Sequence, residues 1–232
     1  RVILGRPAVH ADDWPTYMRT WARDGWQATM EQQALDEFEI AQRLGFDMVS
    51  LGTNPPASAP QPIELDEWNF RQGDDVLRYH PESGVVENLT SRTRSNDEWE
   101  RNFRDSIERE YEAPVVEDDQ LYIWRKIQQL IDEAQLDLAI YVSAYVISVA
   151  SLPPFAIEWF LTEPDTLGRY YEQQSNRIID LGHRYVREGA DVIGLGGDFA
   201  GDKGSVISPA AYREQVVPHI RRQSDAMHEL GA

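Results

Sequence analysis

Chemistry-capable groups concentrate in Gly194-Leu195-Gly196-Gly197-Asp198-Phe199. Glycines at the end of an apolar run let a ligand approach the backbone. Asp198 follows them, and a carboxylate there can act as a general acid or base, accept hydrogen bonds or ligate a metal. It can equally serve only to organise the turn from Phe199 to Lys203. Two nucleotide motifs fail. A dinucleotide fingerprint needs a third glycine where Phe199 stands, and it must open a helix, not a loop. A phosphate loop needs its lysine directly after its second glycine, whereas Asp202 separates Gly201 from Lys203.

Five histidines are present, and no two have the spacing of a metal pair on one helix face. His183 and His228 read as helix-surface or packing residues. His10 follows the first apolar run and is a candidate for substrate contact. Ser143 and Tyr145 lie near the end of a later apolar run and can reach a shared mouth, or simply alternate within a core. Trp14, Trp21 and Trp26 can wall a flat substrate or pack neighbouring helices.

These residues need elements to hold them. Val2-Ile3-Leu4 reads as a short strand ended by Gly5. Residues 13–28 read as short helices. Met30, Ala34, Phe38, Ala41 and Leu44 share one helical face, and Gly45 caps that helix. Residues 46–52 form a second strand, followed by a loop with four prolines between 54 and 62. Residues 68–90 are an excursion, with a β-hairpin over 78–87 turning at Pro81-Glu82-Ser83-Gly84. Residues 91–114 are polar and weakly periodic. A helix over 118–134 buries Leu121, Trp124, Ile127, Ile131 and Ala134. Residues 138–149 are a buried strand, and residues 155–161 a short helix. Thr162 is the expected N-cap of a long helix burying Leu167, Tyr170, Ile178, Leu181 and Tyr185. Residues 191–195 are the fourth strand. Ser208-Pro209 opens a last helix, interrupted at Pro218. Four strands alternating with helices predict parallel pairing, in an open sheet or a barrel.

The chain has 232 residues, 41% of them hydrophobic, enough for a substantial core. Lys and Arg number 22 against 40 Asp and Glu, a formal charge of −18. That surface repels phosphate backbones and anionic lipid, so neither nucleic acid nor membrane is an expected partner. With no cysteine there is no disulfide and no thiolate ligation from this chain. No apolar run spans a bilayer, and the N-terminus lacks the layout of a signal peptide, so a cytoplasmic location is expected. The opening reads as the middle of a strand, and the end as a helix whose next strand is missing.

One ordered set of residues resembles a known family. It comprises Gly189-Ala190-Asp191-Val192-Ile193, Gly197-Asp198-Phe199-Ala200-Gly201, Gly204, Ile207-Ser208-Pro209-Ala210-Ala211-Tyr212-Arg213-Glu214, Pro218, His228 and Gly231. Together these are similar to the uroporphyrinogen decarboxylase (URO-D) superfamily. Residues 38–54, 78–87 and 155–165 add shorter matches.

The resemblance implies a (β/α)8 TIM barrel of which this chain carries the N-terminal portion, about four βα units, with the hairpin inserted after the second strand. It implies one of two activities. One branch decarboxylates the acetate side chains of a tetrapyrrole in haem biosynthesis, with no cofactor. The other moves a methyl group between a corrinoid protein and a thiol, using zinc. Several decarboxylase positions differ here. Of the arginine motif after strand one only Arg6 matches, and Pro7-Ala8-Val9-His10 departs. The aspartate that ends strand two is Asn54, which cannot ionise. The tyrosine after strand three falls at Leu152, and the aspartate–serine pair at Gly197-Asp198. The hairpin and the Gly-Asp-Phe-Ala-Gly turn are closer to the methyltransferase branch. The expected site is therefore Asp198 as the catalytic group, with Asn54, Arg6, His10, Tyr145 and Gly197 contacting substrate. No cofactor is expected within this chain; in the longer protein, zinc would be held by residues beyond Ala232. The remaining alternative is a non-catalytic half-barrel that pairs with a second copy as a homodimer, because its sheet edges and inner face would otherwise be uncovered.

Overall fold

The computed structural model describes residues 3–10, 13–91, 95–143, 148, 152–195, 197–201 and 203–231. The chain divides into two compact units. One joins Arg1–Thr93 to Val116–Ala139, and the other joins Arg94–Val115 to Ile140–Ala232.

In the first unit, α1 (Trp14–Asp24) starts at Asp13, whose carboxylate accepts from the Thr16 N–H. Gly25, at φ 82°, breaks it from α2 (Trp26–Leu44). The buried face of α2 carries Met30, Ala34, Phe38 and Ala41 as expected. Gly45 caps it in the left-handed conformation, and the Phe46 N–H returns to the Ala41 carbonyl. Strand β1 (Met48–Leu51) follows at once and buries Val49 and Leu51.

The chain then builds an antiparallel meander: β2 (Ile63–Glu64), β3 (Asn69–Gln72), β4 (Asp75–His80) and β5 (Val85–Asn88), in that order. The expected hairpin is its last pair, with His80 opposite Val85. Phe70 of β3 is fully buried and joins Met18 and Trp21 of α1 in one cluster. Helix α4 (Tyr122–Ala134), led in by a 3-10 turn over Asp118–Leu121, packs on α2. (Helix α3 lies in the other unit.)

In the second unit, α3 (Asn96–Glu108) is capped by Ser95, whose hydroxyl accepts from the Glu98 N–H. Strand β6 (Ala139–Ser143) leads to α5 (Pro154–Ile157) and α6 (Trp159–Thr162), then to the long α7 (Pro164–Arg187). Strand β7 (Val192–Gly194) pairs parallel with β6, placing Tyr141 beside Val192 and Ser143 beside Gly194. A two-strand turn, β8 (Ala200–Gly201) with β9 (Gly204–Ser205), precedes α8 (Pro209–Gln215) and α9 (Val217–Glu229). Ser208 caps α8 as expected, and the break between α8 and α9 falls just before Pro218. The core gathers Leu152, Trp159, Phe160, Leu167, Tyr171 and Ile178. Arg104 of α3 clasps Glu163 with both terminal nitrogens, at 2.5 and 2.6 Å, while its guanidinium lies 4.3 Å from the Trp159 ring centroid.

The architecture is thus mixed α/β with a parallel strand pair. Three local expectations change. Ile3 and Leu4 lie in a turn, not a strand. The Arg43 guanidinium holds the Ile3 carbonyl, and Gly5 at φ 73° redirects the chain along α2. Thr162 ends α6 and turns its hydroxyl back to the Glu158 carbonyl, so Glu163 stands at the N-cap of α7. The weakly periodic stretch contains α3, whose helical state rests on its cap and on Ile107 packing rather than on a full apolar stripe.

Candidate functional site

Strands β6 and β7 set the second unit's site. Alternation turns Ile140 and Val142 into the core and leaves Tyr141 and Ser143 on the other face. Gly194 has no side chain where the Tyr141 ring lies; a Cβ there would overlap the phenol. The chain leaves β7 through Leu195 and reaches Asp198 beyond its C-terminal end.

There Tyr141, Ser143, Ser148, Gly194, Leu195, Gly197 and Asp198 line a cavity of about 390 Å³. Asp198 is exposed, and its carboxylate makes no hydrogen bond to described residues of the following turn. That turn is instead closed by the β8–β9 pairing and by the Val206 N–H on the Phe199 carbonyl. Phe199 is anchored edge-on against Tyr212 at 4.8 Å. The Asp198 backbone is held by Ser148, whose hydroxyl lies 3.2 Å from its nitrogen and 3.0 Å from its oxygen. The arrangement presents one carboxylate, a phenol and hydroxyls to a ligand. It can exchange a proton or hold a polar group, with no cation among the described lining residues to bind an anion.

The other expected site residues have different surroundings. Gly197 lines the same cavity as Asp198. Tyr145 lies outside the described residues. Arg6 pairs with the fully buried Asp36 at 2.6 Å and with Glu39 at 3.1 Å. Its hydrogen bond to Asp36 raises its pKa further, so the guanidinium is committed to α2. The same Asp36 carboxylate accepts from the Val9 N–H and the Gln32 amide. Arg6 therefore neutralises a buried carboxylate of the fold. It is not among the residues lining any of the cavities described here.

Asn54 is buried, and its amide is used by the backbone. Nδ2 donates to the Asp119 carbonyl at 2.8 Å and the Pro55 carbonyl at 3.0 Å, while Oδ1 accepts from the Ile123 N–H. It ties the start of α4 to the chain leaving β1. His10 and Asn54 border one cavity of the first unit, where His10 Nε2 lies 3.0 Å from Glu37 Oε2.

Tyr141, Ser148 and Glu37 are the site residues that sequence reasoning missed. Period-two alternation with Ser143 is the signal that singles out Tyr141. Ser148 and Glu37 carry no such signal, because their roles depend on long-range contacts. No group of three or more His, Asp or Glu converges as a metal site among the described residues. Compared with known proteins, the chain matches no family model, no curated protein and no solved structure.

Proposed function

We propose that this chain is part of a (β/α)8 TIM-barrel enzyme of the URO-D superfamily, of the corrinoid-linked methyltransferase-like kind. In this reading the β2–β5 meander is the insertion after the barrel's second strand. The observation that carries it is the position of Asp198, at the C-terminal end of a parallel strand beside Gly197, Tyr141 and Ser143. In α/β barrels that end of the strands is where chemistry is done. The family motif around Gly197-Asp198-Phe199 therefore coincides with a cavity that can hold a reacting group.

The reaction proposed is methyl transfer from a corrinoid to a thiol. The thiol sulfur takes the methyl group as the cobalt–carbon bond breaks and leaves its electron pair on the corrinoid; Asp198 accepts the thiol proton, Tyr141 and Ser143 orient the thiol, and Gly197 leaves room for it. The described residues do not make a zinc site. Tetrapyrrole decarboxylation has less support. Its acetate side chains call for cations, and none is among the described residues lining the Asp198 cavity. Asn54, at the place of the decarboxylase aspartate, spends its amide on backbone groups.

The test uses the polypeptide that carries this chain, supplied with methylcobalamin, a thiol and added zinc, and follows the corrinoid absorbance. Protein-dependent demethylation is expected, with Asp198→Asn slower by about a hundredfold, as for loss of a general acid or base. Absence of demethylation alongside release of carbon dioxide from uroporphyrinogen would replace this reading with decarboxylation.

A further inference from the structure

We propose that the cavity beside β1 in the first unit is a binding site for an aromatic amine. It encloses about 890 Å³, within the size range of small-molecule sites, roughly 300–1,000 Å³. Its walls are apolar and aromatic: Trp14 and Tyr17 from α1, Ile40 from α2, Phe46 and Met48 at β1, and Ile123 from α4. Phe46 and Met48 are 53% and 43% exposed, so their side chains are open to a ligand in the cavity.

The polar groups choose the ligand. Among the described lining residues Glu37 is the one carboxyl group, and its side chain is only 13% exposed. His10 occupies one position on that carboxylate, at 3.0 Å, and a carboxylate offers several acceptor positions. Among the described residues no lysine or arginine lines the cavity. An anionic ligand would therefore bring its charge against a largely buried carboxyl group whose basic neighbour, His10, is already paired with it. An amine N–H can donate to Glu37 while its ring lies against Trp14 and Tyr17. Burial keeps the Tyr17 phenol protonated, so it adds no second negative charge. Asn54 borders the cavity as a spacer, its amide being bound to the backbone.

Two probes with the same ring system, differing by one sulfonate, separate the possibilities. They are N-phenyl-1-naphthylamine, which is neutral, and 8-anilinonaphthalene-1-sulfonate. Fluorescence titration at neutral pH should show saturable binding of one neutral probe per chain, and at least tenfold weaker binding of the sulfonate. Ser50→Trp, at an exposed lining position, should weaken the neutral probe at least tenfold with the circular dichroism unchanged. Glu37→Gln should narrow the gap between the probes. Equal affinities, binding indifferent to Ser50→Trp, or no saturable binding by the folded protein would overturn the proposal. These readouts involve no turnover, so their failure leaves the Asp198 reading standing, and the reverse also holds.

Discussion

The Ser148 hydroxyl bridges both backbone polar groups of Asp198, donating to its carbonyl at 3.0 Å and accepting from its N–H at 3.2 Å. A single side chain thus fixes the peptide that carries the proposed catalytic carboxylate, although the carboxylate itself is exposed. Ser148→Ala should cost about 1–2 kcal/mol, the net worth of two neutral hydrogen bonds. It should also raise the hydrogen-exchange rate of the Asp198 amide more than that of the Val142 amide. Equal changes at both amides would mean that Ser148 acts on the whole unit rather than on this peptide.

Asn54 offers a direct test of whether a carboxylate is tolerated at its position. Two backbone carbonyls, of Pro55 and Asp119, face its Nδ2. A carboxylate in that place turns two hydrogen bonds into acceptor–acceptor contacts. Asn54→Asp is expected to destabilise the fold by about 2–4 kcal/mol at neutral pH, the cost of a buried charge facing unpaired acceptors. Urea unfolding measures it. The loss should shrink in acid, where the protonated carboxyl regains one donor.

Gly194 is set by the Tyr141 ring, which a Cβ would overlap. Gly194→Ala should destabilise by about 1–3 kcal/mol, as expected for overpacking. Combined with Tyr141→Ser, the same change should cost much less, giving a coupling above about 0.5 kcal/mol in a double-mutant cycle. An additive cycle would show that the strain lies elsewhere.

His219 provides a pH dependence. Its Nδ1 lies 3.4 Å from the Ser175 hydroxyl, and its ring packs 5.8 Å from that of Tyr171. Burial lowers its pKa, nearby Arg222 lowers it further, and Glu172 opposes them. The folded protein therefore resists protonation while the unfolded chain takes up a proton near pH ~6.5. The resulting stability is fully present above that pH and is lost as pH falls below it, until the folded-state pKa is reached. Urea midpoints at pH 7.5, 6 and 5 should fall more steeply for the natural chain than for His219→Gln.

Much of the local structure was legible because it depends on neighbouring residues alone. Helix α2 and its Gly45 cap follow from apolar spacing and from glycine's access to positive φ. The hairpin at His80 and Val85 and the Ser208–Pro209 helix start were equally readable. Helix α3 was not, since it has one fully buried residue, Ile107, and therefore little periodic signal. The N-terminal apolar run misled because three residues cannot specify a strand without a partner to pair with.

The sequence by itself determined an acidic, cysteine-free α/β chain with a Gly-Asp turn after the fourth expected strand, since composition and periodicity carry that information. Only the tertiary structure decided what each polar group does. Arg6 neutralises Asp36, Asn54 binds backbone, and Glu37 reaches His10 from a helix 27 residues away. Asp198 keeps an exposed carboxylate at a cavity mouth. The physical reason is that a buried polar group must find a partner, and which partner lies within reach is set by packing across long sequence separations.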